Sequence, residues 1–187
     1  MAKKIHTFRV GGRTYEILNS QAIELASHGQ YVEAIACFKR AITIVRDNPL
    51  LWYNLGITYR DAGMLQLSKD ALLTAYKINS EDQDIIETLA HTCFISGEME
   101  EALTFCAQGL ELNMRNAHLW NNSGVIYFTQ GDYNSACEAF EHAVTIDPNY
   151  YDAVFNLRDT YQELGNFSAA AECDARLKNI KQGDFYA

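Results

Sequence analysis

The sequence has only two prolines in 187 residues, with eleven glycines. So little of either excludes a collagenous or low-complexity chain and argues against a β-sandwich, whose many turns draw on both. No apolar run approaches the roughly 20 residues that span a bilayer. Met1 to Lys4 is basic, but Ile5 to Arg9 is no apolar stretch of a signal peptide, so none is expected. Cysteine is sparse and odd in number, and positions 37, 93, 106, 137 and 173 form no Cys-x-x-Cys pair. That pattern predicts reduced, helix-packed thiols in a cytoplasmic protein over a disulfide or metal framework. Basic residues are scarce as well: 15 Lys/Arg stand against 24 Asp/Glu, a formal net charge of −9. Residues 1–48 hold seven Lys/Arg and four Asp/Glu, whereas residues 49–187 hold eight and twenty. A field of that sign repels phosphate backbones, so nucleic acid is not expected as a partner. It suits a protein or peptide segment that is basic or mainly apolar.

What the sequence does contain is a period. Gly29, Gly63, Gly97, Gly131 and Gly165 stand 34 residues apart. Five residues after each comes a small residue: Ala34, Ser68, Ala102, Ala136, Ala170. Two after each comes a large one: Tyr31, Leu65, Met99, Tyr133, Phe167. Four before each come Leu25, Tyr59, Cys93, Tyr127 and Tyr161. Leu119 to Asn149 is the best-formed copy. Trp120, Gly124 and Tyr127 share one face of a helix; Gly131-Asp132 breaks it; Tyr133, Ala136, Phe140 and Ala143 mark a second helix, stopped by Asp147-Pro148. One such helix pair cannot bury its own apolar faces, so each must stack on the next.

A 34-residue helix–turn–helix period with Trp, Leu-Gly and Tyr, then Ala, Phe and Pro, resembles the tetratricopeptide repeat (TPR) family. Trp52, Leu55, Gly56 and Tyr59 match that pattern. Trp120, Gly124, Tyr127, Ala136, Phe140, Ala143 and Pro148 match it again, with Ser123 where Leu is usual. The resemblance implies an all-α, right-handed α-solenoid of five TPR helix-turn-helix repeats, at 15–48, 49–82, 83–116, 117–150 and 151–184. Residues 185–187 are left as a C-terminal tail. In the fifth copy Arg158, Asp174 and Leu177 depart from the pattern, and its last helix is polar, as a terminal repeat requires.

Residues 1–18 do not fit the period. Lys4 to Leu18 has β-rich runs on either side of Gly11-Gly12, which predicts a short N-terminal β-hairpin. A two-residue turn places Phe8, Val10, Tyr15 and Ile17 on one face. The first repeat helix would then start late, capped by Asn19 or Ser20. The alternative is that Tyr15 onward is already helix.

In the TPR family the first helix of each repeat lines a concave groove where partners lie. The positions matching the family's groove are Tyr53, Asn54, Ile57 and Arg60; His91 and Phe94; His118, Asn121, Asn122, Val125 and Phe128; Phe155 and Asn156. Asn54, Asn122 and Asn156 share one register. A carboxamide carries donors and an acceptor, so these can bond the backbone of an extended peptide, or satisfy groups within the fold. The aromatic and aliphatic members make the groove apolar, which marks an interaction site unless the superhelix or the hairpin covers them. Basic residues are too few for the carboxylate clamp that some family members use on acidic C-termini: Asn19, Ile23, Asn54, Asp84 and Thr88 stand at those positions, and Arg60 is alone.

No P-loop, Gly-x-Ser-x-Gly or His-Glu-x-x-His motif is present. Glu87 and His91, with His118 on a later helix, could hold a metal but read as a solvated pair. Asp159 and Glu163 read as a solvated acidic face. Neither catalysis nor a cofactor is expected. The expected function is protein–protein interaction, as an adaptor, scaffold or chaperone-like module. The alternatives are self-association or partner capture through the hairpin edge, and service as an accessory subunit of an enzyme or of a secretion or motility assembly. The oligomeric state is open.

Overall fold

The structure, a computed structural model, describes the backbone of residues 2–183 and the side chains of residues 14–180. It comprises two compact units, Met1–Ser96 and Gly97–Ala187. The first contains α1 (Ala2–Ser27), α2 (Tyr31–Ile44), α3 (Pro49–Asp61), α4 (Leu65–Ile78) and α5 (Gln83–Ile95). The second contains α6 (Met99–Leu112), α7 (Ala117–Gln130), α8 (Tyr133–Ile146), α9 (Tyr151–Glu163) and α10 (Phe167–Gly183). Within each unit every helix packs on its neighbours in sequence, and α1 with α3, α3 with α5 and α7 with α9 also touch. Those extra contacts align the first helices of successive pairs along one face.

The 34-residue period is written into the turns. Each of the five repeating glycines has a positive φ, between 73° and 81°. This left-handed conformation lets the chain reverse out of one helix, and any side chain there would be strained. At Gly131 the reversal is closed by two bonds: its N–H to the Phe128 carbonyl (3.0 Å), and the Asp132 N–H to the Tyr127 carbonyl (3.0 Å). Asn48, Asp82, Asn116 and Asp132 cap the next helices with side-chain oxygens. Trp52 and Trp120 tie helix to loop in the same way, donating from Nε1 to the carbonyls of Arg46 (2.8 Å) and Met114 (2.9 Å).

Close approach explains two more glycines. A Cβ on Gly56 would lie 2.6 Å from Leu72 Cγ, and one on Gly124 would lie 2.5 Å from the Phe140 ring. In the fifth pair this small–large combination becomes Arg158 and Asp174, joined at 3.4 Å, with the Arg158 guanidinium also 4.0 Å from the Phe155 ring centroid. The first core gathers Leu18, Ala22, Phe38, Leu51, Leu55 and Tyr59; the second gathers Phe140, Val144, Val154, Leu157 and Leu177.

The N-terminal β-hairpin expected over residues 1–18 is corrected. Residues 2–27 form one helix, and there is no strand among the described residues. Side-chain placement shows the reason. Tyr15, Leu18, Ala22 and Leu25 pack into the first core at three- and four-residue spacing, while Ile17 is 57% exposed. A hairpin would put Tyr15 and Ile17 on the same face. The burial has the period of a helix, and an isolated hairpin has little stability of its own to oppose it. Asn19 and Ser20 therefore lie inside a helix and do not cap one. With no strand there is no free edge, so hairpin-mediated self-association or capture also falls.

Candidate functional site

In the first unit α1, α3 and α5 share a face, and residues 34 positions apart recur along it. Asn54 Nδ2 donates to Asn19 Oδ1 across 3.1 Å, and Thr88 Oγ1 donates to Tyr53 Oη across 3.4 Å. Both bonds join residues 35 apart, so one polar contact recurs between successive first helices. Tyr53, Asn54, Ile57 and Phe94 are half-buried around them. Arg60 is held by Asp61, with its Nε and Nη2 at 3.1 and 3.0 Å from Oδ1. Its charge is thereby matched locally, which does not suit a clamp for carboxylates. His91 lies at the surface. Desolvation and the nearby Arg60 charge hold its imidazole below the ordinary value, against the opposite pull of Glu87.

The second unit repeats the arrangement. Asn156 Nδ2 donates to Asn121 Oδ1 across 3.0 Å, again 35 residues apart. Asn121 is only 6% exposed, so this bond also satisfies a buried amide. Asn122 is half-buried beside it, in the register of Asn54 and Asn156. A cavity of about 80 Å³ opens among Val125, Phe128, Thr129, Phe140, Asn156 and Asp159. Phe128 is braced edge-on by Tyr133, with ring centroids 5.2 Å apart. Phe155 is stacked by Tyr151 on one side and approached by Arg158. His118 Nδ1 lies 3.1 Å from Tyr150 Oη.

The sequence-predicted residues thus fall into two sets, each on its own unit: Tyr53, Asn54, Ile57, Arg60, His91 and Phe94, and His118, Asn121, Asn122, Val125, Phe128, Phe155 and Asn156. Each asparagine pair spends one amide N–H and one oxygen inside the fold. The oxygens and second N–H groups of half-buried Asn54 and Asn156 take no part in these two bonds. Asp61 and Asp159 stand at groove positions of the sequence pattern, and the structure adds that they bond Arg60 and Arg158. Tyr150 was missed, and no sequence signal marked its contact with His118. The register of Asn19, Asn54, Asn121 and Asn156 was visible, but their pairing was not.

Family comparison rests on the same repeat. A TPR repeat model matches residues 22–63, and a tetratricopeptide repeat model matches residues 50–82 and 117–150. The chain belongs to the tetratricopeptide repeat family. Among curated relatives, the BBSome complex member BBS4 of Bos taurus is 25% identical over 142 residues, covering 76% of this chain and 27% of that protein. The chain spans between 17 and 35% of the length of the first three such relatives. Among solved structures, the MamA protein superposes with a TM-score of 0.78 at 20% identity, over 91% of this chain and 93% of its own. YrrB, described as a TPR protein with an unusual peptide-binding site, superposes at 0.68 with 22% identity, over 88 and 85%. At those identities the likeness is one of fold. TPR proteins bind peptides or proteins, and this chain is an interaction module of that kind. None of its helices is long and apolar enough, among the described residues, to cross a membrane.

Proposed function

We propose that this protein holds an extended partner segment, apolar or basic in character, along the faces formed by its first helices. It would act as a cytoplasmic adaptor or chaperone-like module. The observation that carries the reading is the repeated polar contact at 35-residue spacing, Asn19–Asn54 and Asn121–Asn156. It fixes carboxamides beside half-buried aromatic side chains, with unspent donors and acceptors for a peptide backbone. Because the amides are already oriented, binding costs little ordering of the module. Five free cysteines fit a reducing compartment, and the Cys137 thiol, pushed up to about 11 by burial and then by Glu141, stays protonated there.

The test is affinity capture from native extract, repeated with an Asn122→Ala/Phe128→Ala double variant. Capture of the same partner should fall at least tenfold while the helical circular dichroism is unchanged. Undiminished capture would overturn the reading.

A further inference from the structure

A second groove lies on α6 and α7, on a different face of α7 from Asn122, Val125 and Phe128. Its volume is about 500 Å³, and it is lined by Leu103, Ala107, Leu110, Met114, Trp120 and Tyr127, with Ser123 at its floor and Glu111 its charged member. Two missing side chains explain why it is open. Position 123 carries Leu in three other copies, as Leu55, Leu89 and Leu157, each at most 4% exposed. Here it is Ser, turned back to donate to the Leu119 carbonyl at 2.9 Å. Position 107 elsewhere carries Lys39, Leu73 or Glu141, and Ala only in the last copy, as Ala175. Lys39 Nζ lies over the Tyr59 ring at 5.7 Å, and Glu141 accepts the Tyr161 hydroxyl at 2.7 Å. Ala107 can do neither for Tyr127. Met114, at the groove's end, is 72% exposed.

The charge around the groove is mostly negative. Residues 97–157 hold nine Asp/Glu and a single Lys/Arg, Arg115. On α6 Glu100 and Glu111 lie seven before and four after Ala107, on the same helical stripe. An apolar cleft edged by carboxylates is complementary to a bulky apolar side chain flanked by cations. We infer that this groove docks a basic amphipathic segment of another protein, which inserts a large apolar side chain between Ala107, Ser123 and Tyr127. It is a site separate from the asparagine-lined face.

The probe is a pair of fluorescein-labelled 14-residue peptides with one Leu/Phe pattern, spaced by Lys in one and by Glu in the other. Anisotropy is read on the full chain. The Lys peptide should bind, and the Glu peptide should bind at least tenfold more weakly. Ala107→Glu, which gives Tyr127 the partner that Tyr161 has, should weaken the Lys peptide at least tenfold although it adds negative charge. Ser123→Leu should do the same, with helicity retained in both. Asn122→Ala/Phe128→Ala should leave affinity within twofold. Equal binding of the two peptides, or unchanged or tighter binding by Ala107→Glu, would overturn the inference. So would a mass that rises with concentration in light scattering and stops rising in Ala107→Glu, since the occupant would then be a second copy of this chain.

Discussion

Residues 1–96 hold ten Lys/Arg and ten Asp/Glu, whereas residues 97–187 hold five and fourteen. The whole net charge therefore belongs to the second unit. Beneath that difference the two units use the same packing devices. Gly56 receives Leu72 and Gly124 receives Phe140. Trp52 and Trp120 each donate to a carbonyl six residues back. Asn19–Asn54 and Asn121–Asn156 are joined by the same amide bond. Interior positions are held to a narrow choice because close-packed cores tolerate neither gaps nor overlap. Surface positions carry no such demand, so charge and the residue covering each tyrosine diverge. The inferred groove on α6 and α7 lies with the diverging set.

The largest expected effect tests whether the two small–large pairs are equivalent. Phe140, 1% exposed, fills more volume against Gly124 than Leu72 fills against Gly56. Phe140→Ala should cost about 3–5 kcal/mol, and Leu72→Ala somewhat less, read from urea midpoints. A larger loss at Leu72 would show that the second unit relaxes around its cavity better than the first. The amide bonds come next. Asn121→Ala leaves the Asn156 N–H facing a buried site and should cost about 1–3 kcal/mol. Asn19→Ala, at a half-buried site, should cost about 0.5–1.5 kcal/mol. Equal losses would mean that burial does not separate the two units here. The smallest effect is a gain. Ser68 takes the place held by Ala34, Ala102, Ala136 and Ala170, and its Oγ is buried without a partner among the described residues. Ser68→Ala should raise stability by about 1 kcal/mol, visible as an upward shift of the thermal midpoint.

The helical repeat was legible because it is local. A glycine that must adopt positive φ, and small and large residues at helical spacing, announce themselves within one 34-residue window. The N-terminus was misread for the same reason. Viewed locally, Gly11-Gly12 between β-rich runs is a turn signal, and only the docking of Tyr15, Leu18 and Ala22 on the first core shows the helical period. The candidate face was legible as a register: Asn54, Asn122 and Asn156 could be named together. The bonding of Asn54 and Asn156 was not, because each hydrogen-bond partner sits on the preceding first helix, and reaching it depends on how two helices are staggered.

Sequence alone therefore determined the five-fold period, the turn at each glycine and the acidity of the later residues, since these follow from backbone sterics and composition. Tertiary structure decided which amides pair, and that Ala107 and Ser123 open a groove beside half-buried Tyr127. Each of those depends on side chains reaching between neighbouring helices or across a helix end, at distances that only the packed fold sets.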